Sequence, residues 1–239
     1  MATVNAGKYG WIYSSSDLGW SPGVRDHTTG SSMWNQSTST NINNIRTYYE
    51  AGSKGSEWSI VRSFFAFNVT AYQTGYTITD LKLYYLPTTS TAGSGGAGMK
   101  IAIVKSTAQG NANADLALTD FNNFDDTVDY ALNDGSAGLT WRDLATLQSF
   151  DLNATGVTAI TGTGYLKLCI MEYIYDYTDT APTISGTDLK AYGNFSTVPY
   201  LSFTATSTGY GNAVIGVSAA NISEVIGVGT ADISTVIGA

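Results

Sequence analysis

Cysteine, histidine, proline and positive charge are the scarce components of this 239-residue chain. A single cysteine, Cys169, excludes an intrachain disulfide framework and a Cys-x-x-Cys metal cage. Its place inside an apolar run marks it as a buried structural thiol. A single histidine, His27 in the loop-like stretch VRDHTTG, leaves any Ser-His-Asp or Cys-His device resting on one residue with no Gly-x-Ser-x-Gly stretch to accompany it, and local hydrogen bonding is the plainer reading. A transition-metal site built from several His and Cys is excluded by count. Lys and Arg total 11 against 19 Asp and Glu, a net charge of -8, and no basic cluster exists to neutralise a phosphate backbone, so nucleic acid is not an expected partner. No apolar run approaches the roughly 18 residues of a membrane-spanning helix, so no membrane partner is expected. The opening MATVNAGKYGWIYSSS has no basic segment followed by an apolar one and does not read as a signal peptide. A protein of this kind acting outside a cell is expected to leave by lysis or by a route without a cleaved leader.

Charged residues are 13% of the chain and hydrophobic ones 43%, so solubility rests on neutral Gly, Ser, Thr and Asn, a balance common in secreted and virion-surface β proteins. From Ile60 onward the segments IVRSFFAFNV and YTITDLKLYYL are dense in β-branched and aromatic residues and read as two paired strands. TTSTAGSGGAG at 88–98 is a loop by composition, and MKIAIVKS after it puts Ile101 and Ile103 on one face and Lys100 and Ala102 on the other. LTDFNNF and TWRDLATLQ each fit a helical turn, with Thr119 and Thr140 as candidate caps, and NATGVTAI fits one more. QSFDLN, YLKLCIMEYIY, DLKAYGN and PYLSFTA complete the strand set, the second of them apolar enough to sit centrally in a sheet. Seven or more strands without a helix longer than about two turns predict an all-β fold, an antiparallel two-sheet jelly-roll sandwich with a short C-terminal β-repeat tail. The expected organisation is an N-terminal strand and loop region at 1–57 packed on the sandwich, a jelly-roll body at 58–206, and a repeat tail at 207–239.

From Ile60 to Ala205 the order of these segments resembles the DNRLRE jelly-roll domain, a relative of carbohydrate-binding-module sandwiches. The matching residues are RSFFAFNVTAY followed by TITDLKLYYL, then KIAIVKS, LALTDFNNF, SFDLNATGVTAI, YLKLCIMEYIYD and PYLSFTA. The tail is similar to the tandem repeats that end structural proteins of tailed phages, through VIGVSAANISE, VIGVGTADIST and VIGA. That resemblance implies a virion-surface protein of the capsid-decoration, head-fibre or tail-fibre type, a homotrimer, with other virion proteins such as the major capsid or tail proteins as further partners.

The repeat itself is exact in spacing. Val214, Val225 and Val236 recur every 11 residues, as do Gly216, Gly227 and Gly238. An 11-residue period suits a right-handed helical supercoil, but Gly with β-branched Val and Ile opposes helix, and extended segments with one turn per unit are expected. So few units cannot bury their own apolar face. The interface residues predicted from this are Val214, Ile215, Val217, Ile222, Val225, Ile226, Val228, Ile233, Val236 and Ile237, pairing with other copies or adding as strands to another virion protein. Packing back onto the body is the alternative.

Two acidic clusters, Asp125, Asp126 and Asp129, and Glu172, Asp176 and Asp179, have the composition for glycoside hydrolysis or Ca²⁺ binding. Neither follows an ordered calcium-loop pattern, so no cofactor is expected and the clusters read as solvated loops. The protein is expected to be non-enzymatic. Sixteen Tyr and five Trp offer faces that stack on sugar rings, with Trp11, Trp20 and Trp34 as the candidate platform and host glycans as the corresponding partner. Asn-x-Ser/Thr sequons at Asn35, Asn68, Asn153, Asn194 and Asn221 are expected by chance in so Asn-, Ser- and Thr-rich a chain.

Overall fold

A computed structural model of the chain describes residues 1–36, 44–52, 55–92, 100–110, 114–131, 138–140, 146–182, 188–195, 197–208, 224–225 and 228–229. It is an all-β sandwich of two antiparallel sheets packed together. The smaller sheet has the strand order β1-β14-β6-β11, from Ala2–Asn5, Tyr200–Ser207, Tyr76–Tyr85 and Gln148–Asp151. The larger runs β10-β8-β12-β5-β4-β13-β7, from Leu139–Thr140, Lys100–Ser106, Tyr165–Glu172, Gly55–Asn68, Asn44–Gly52, Asp188–Phe195 and Pro87–Ala92. β2 (Lys8–Ser16) pairs with β5 and carries β3 (Ser32–Gln36) outside it, and β9 (Phe124–Ala131) pairs with β8.

β5 organises the larger sheet. It is a long strand of β-branched and aromatic residues, and β2 lies along one edge from Lys8↔Ala66 to Ser16↔Trp58. The other edge is divided, with β4 pairing Arg46↔Val61 through Gly52↔Gly55 and β12 pairing Tyr165↔Asn68 through Ile170↔Ser63. Alternation along β5 supplies two cores at once. Phe65 and Phe67 face the smaller sheet and pack with Leu83, Leu168, Leu201 and Phe203. Ile60 and Phe64 face the opposite way into a second core with Ile12, Trp20, Val24, Phe121 and Cys169. β8 repeats the pattern, Ile101 and Ile103 in the first core and Ala102 and Val104 in the second. β12, flanked by β5 and β8 and buried on both faces, is the central apolar strand expected.

Several local expectations change. β5 and β6 do not pair; the 3₁₀ turn Thr70–Tyr72 carries the chain from one sheet to the other. The anticipated boundary between residues 57 and 58 falls inside β5, and β1, β2, β3 and β4 are strands of the two sheets rather than a layer added to them. NATGVTAI opens a 10-residue helix, α1 (Ala154–Thr163), longer than the single turn expected of it and than the two-turn limit set for the chain. Asn153 caps it, its Oδ1 accepting from Thr155 N and Gly156 N, and Gly164 ends it in a left-handed conformation with φ of 70°. Leu118–Asp120 is a 3₁₀ turn entered through Ala117 rather than capped by Thr119, and Thr140 lies in β10. The apolar strand stops at Glu172, and Tyr173–Tyr177 is a π-helical turn. The segment 88–98 contributes strand residues up to Ala92, and the rest of it lies outside the described residues.

Candidate functional site

The second core contains a charged centre. Alternation along β5 points Arg62 into it with no exposed surface. The guanidinium donates from Nε to Asp176 Oδ2 at 2.9 Å and from Nη2 to Asp176 Oδ1 at 2.6 Å. Nη2 also donates to Arg25 O, and Nη1 donates to Phe121 O and Asn122 Oδ1. The Phe121 and Phe124 rings lie 4.2 and 4.6 Å from its centre. Every guanidinium N–H has an acceptor, so the charge is buried without an orphaned donor.

The two acidic clusters meet beside this centre, but around an arginine. Arg25 donates from Nη2 to Asp126 and from Nη1 to Asp26, and its Nε lies 3.9 Å from both Asp176 and Asp179. Burial opposes its charge, and the surrounding carboxylates outweigh that and raise its pKa. Asp125 accepts from Thr127 N and Oγ1, which with nearby Lys105 holds its carboxyl below the usual range. Asp129 accepts from Asn153 Nδ2. Glu172 is buried and caps the π turn, accepting from Ile174 N, Tyr175 N and Asp176 N at 2.6, 2.7 and 3.2 Å. Burial is the largest influence on Glu172 and pushes its carboxyl up to about 7 against those donors. Among the described residues no group of three or more His, Cys, Asp or Glu is disposed to hold a metal ion. His27 Nδ1 lies 2.8 Å from the buried Ser14 Oγ. The Cys169 thiol is fully buried, and burial pushes its pKa up.

The three candidate tryptophans separate. Trp20, 6% exposed, packs edge-on against Trp58 in the second core, its Nε1 donating to Asp179. It is a core ring and presents no platform. Trp11 and Trp34 are cross-strand partners on β2 and β3, with ring centroids 6.2 Å apart and planes tilted by 47°. Trp34 is 48% exposed in the middle of the register beside exposed Met33. β3 can lie this close because position 10 is glycine: a Cβ there would meet Trp34 O at 2.1 Å.

Two residues further along β2, on the face of Trp11, stands Tyr13. Its register partner is Val61, which also partners Arg46 on β4. The Arg46 guanidinium lies over two rings, 5.4 Å from the centre of Tyr13 and 5.2 Å from that of Tyr48. Arg46 Nη2 donates to Ser59 Oγ, and Tyr13 OH donates to Glu57 Oε1 at 3.0 Å. Together Tyr13, Arg46, Tyr48, Glu57 and Ser59 line a depression of about 300 Å³. A larger hollow of about 530 Å³ lies between α1, β8, β9 and β12. Thr155, Thr158, Thr163, Tyr130, Tyr165 and Lys105 are among its lining residues, and its Lys167 ammonium is already committed to Ala108 O and Gly110 O. The smaller site is the one that sets a guanidinium and a carboxylate on the same wall.

Arg46 and Tyr48 lie in NIRTYYEAG, within the region read as strands and long loops without singling these residues out. The usable signal was the period of two that separates Ile45, Thr47 and Tyr49 from Arg46 and Tyr48. In the tail, Val225 pairs with Val228 and Glu224 with Gly229 in a short antiparallel ladder, β15 (Glu224–Val225) with β16 (Val228–Gly229). Val214, Ile215, Val217, Ile222, Ile226, Ile233, Val236 and Ile237 lie outside the described residues. The fold and these side chains define an all-β sandwich protein bearing an aromatic and charged face on its larger sheet. Neither the protein-family models nor the curated proteins compared with this chain gave a match.

Proposed function

We propose that this protein is a non-enzymatic structural component of a tailed-phage virion surface, of the capsid-decoration, head-fibre or tail-fibre type. The sandwich is the exposed body, and the C-terminal repeat joins copies, as a homotrimer, or docks them on other virion proteins. The observation that carries the reading is the 11-residue repeat, whose described unit has Val225 and Val228 paired in extended conformation. Strand-forming units too few to bury their own Val and Ile faces need a partner surface. The contacts of the acidic residues support the non-enzymatic reading: Asp126, Asp176 and Asp179 surround Arg25, and Glu172 caps a turn. Light scattering after size exclusion tests the reading, comparing the full chain with one ending at Ser207. A trimer that becomes a monomer on truncation is the expected result. Two monomers refute self-assembly, and absence of the protein from purified particles refutes the virion assignment.

One observation favours a second activity on the same body, binding of glycans on a host surface. The Trp11 and Trp34 pair presents a half-exposed indole at the margin of the larger sheet, and exposed aromatic faces are suited to sugar rings. Glycan-array binding that disappears in Trp34→Ala supports this reading, and an array without any bound glycan refutes it.

A further inference from the structure

We propose that the depression lined by Tyr13, Arg46, Tyr48, Glu57 and Ser59 is a binding site for a neutral pyranose with adjacent free hydroxyls, and that it extends the Trp11 and Trp34 platform along β2. This rests on the glycan-binding reading.

The starting point is the contrast between two arginines of one sheet. Arg62 has an acceptor for every donor, as buried charged groups ordinarily do. Arg46 has, among the described residues, one hydrogen bond, from Nη2 to Ser59 Oγ. Its Nε is shut off from solvent without an acceptor, and no described carboxylate lies within ion-pair distance of it. Contacts with the Tyr13 and Tyr48 rings hold the guanidinium, restricting its rotamers at little further cost on binding. The Nε cannot reach an occupant, but the guanidinium lines a depression of about 300 Å³ with only one of its Nη N–H bonds used among the described residues.

The chemistry of the occupant follows from Glu57. This exposed carboxylate accepts from Tyr13 OH through Oε1, and Oε2 retains its acceptor capacity. A strong donor and a strong acceptor therefore share one depression without neutralising each other. A hydroxyl can accept from Arg46 while donating to Glu57, and adjacent hydroxyls on one ring can engage both groups. A carboxylate-bearing or phosphorylated sugar would gain from Arg46 but face repulsion from Glu57, so the site selects uncharged rings. Tyr13 and Trp11 are two residues apart on one strand face, a separation of about 7 Å. An adjoining sugar unit can therefore stack on the indole pair while the first occupies the depression.

Saturation-transfer NMR from the protein's aromatic protons tests the proposal with the full chain. The probes are methyl α-mannopyranoside, methyl β-glucopyranoside, methyl β-galactopyranoside and glucuronate. At least one neutral glycoside is expected to receive saturation, with glucuronate at least about tenfold weaker. Arg46→Met and Glu57→Gln are each expected to weaken the neutral probe about tenfold or more, the loss of one charge-assisted hydrogen bond. Glu57 is exposed, and its Gln variant keeps the shape of the side chain, so that variant carries the test if Arg46→Met does not fold. Trp34→Ala should leave the monosaccharide bound and weaken array glycans. Neutral binding unchanged in both Arg46→Met and Glu57→Gln overturns this site while the tryptophan platform stands. Preference for glucuronate overturns the neutral assignment, and no saturation of any probe together with an empty glycan array overturns both readings.

Discussion

Removing Arg62 tests the charged centre of the second core most directly. Arg62 and Asp176 have no exposed surface and make a two-point contact at 2.9 and 2.6 Å. Arg62→Ala leaves the Asp176 carboxylate buried, with Arg25 Nε at 3.9 Å as its remaining cationic neighbour. It also strips donors from Phe121 O and Arg25 O and empties the space between the Phe121 and Phe124 rings. Breaking a buried pair from one side costs about 3–5 kcal/mol. At roughly 2–4 °C per kcal/mol for a chain of this size, the melting temperature should fall by about 10 °C. Arg62→Lys should recover little of this, because an ammonium cannot reproduce the planar two-point contact. The double variant Arg62→Met with Asp176→Leu should cost less than the sum of the single variants by about 2–3 kcal/mol, since neither charge is then left alone. Urea unfolding at pH 7 measures all of them. A loss below about 1 kcal/mol for Arg62→Ala, or additive single effects, would refute the assignment of this pair as the centre of the core.

Three further outcomes follow from separate contacts. Glu172 has a folded-state pKa of about 7, above its reference value of 4.5; its contribution is complete below about pH 4.5 and lost as pH rises through 7. Wild-type stability should fall across that window by about 3 kcal/mol relative to Glu172→Gln, and parallel pH profiles from urea titrations would exclude it. Asn153→Ala removes the cap of α1 and the bonds from Nδ2 to Asp129; thermal melting should report a loss of about 1–2 kcal/mol. Gly10→Ala places a methyl group against the Trp34 carbonyl; β3 should move off β2, and tryptophan emission should shift as the Trp11 and Trp34 pair opens, whereas an unchanged spectrum would contradict the contact.

Strand identity was legible where side chains alternate over a long run. Ile101 and Ile103 alternating with Lys100 and Ala102 announced a strand, though not that Ala102 and Val104 enter a second core, and the apolar run around Cys169 announced the centre of a sheet. These are local properties, written in a period of two. Pairing was not local. IVRSFFAFNV and YTITDLKLYYL follow each other through a short turn yet enter different sheets, because the connection is a 3₁₀ crossing and no residue within either strand records its neighbour.

The same division holds for the candidate site. By itself the sequence determined the all-β class, the burial of Cys169, the shortage of cationic clusters and the period of the tail, since composition and spacing are properties of a single chain. Tertiary structure alone decided that Trp20 belongs to a core while Trp11 and Trp34 pair, and that the two acidic clusters converge on Arg25. It alone brought Tyr13 of β2 to Arg46 and Tyr48 of β4. Whether an aromatic ring is a platform or a core residue, and whether an acid is a catalyst or half of an ion pair, depends on what lies across the sheet. That information resides in strand register and in the layer packed above each face.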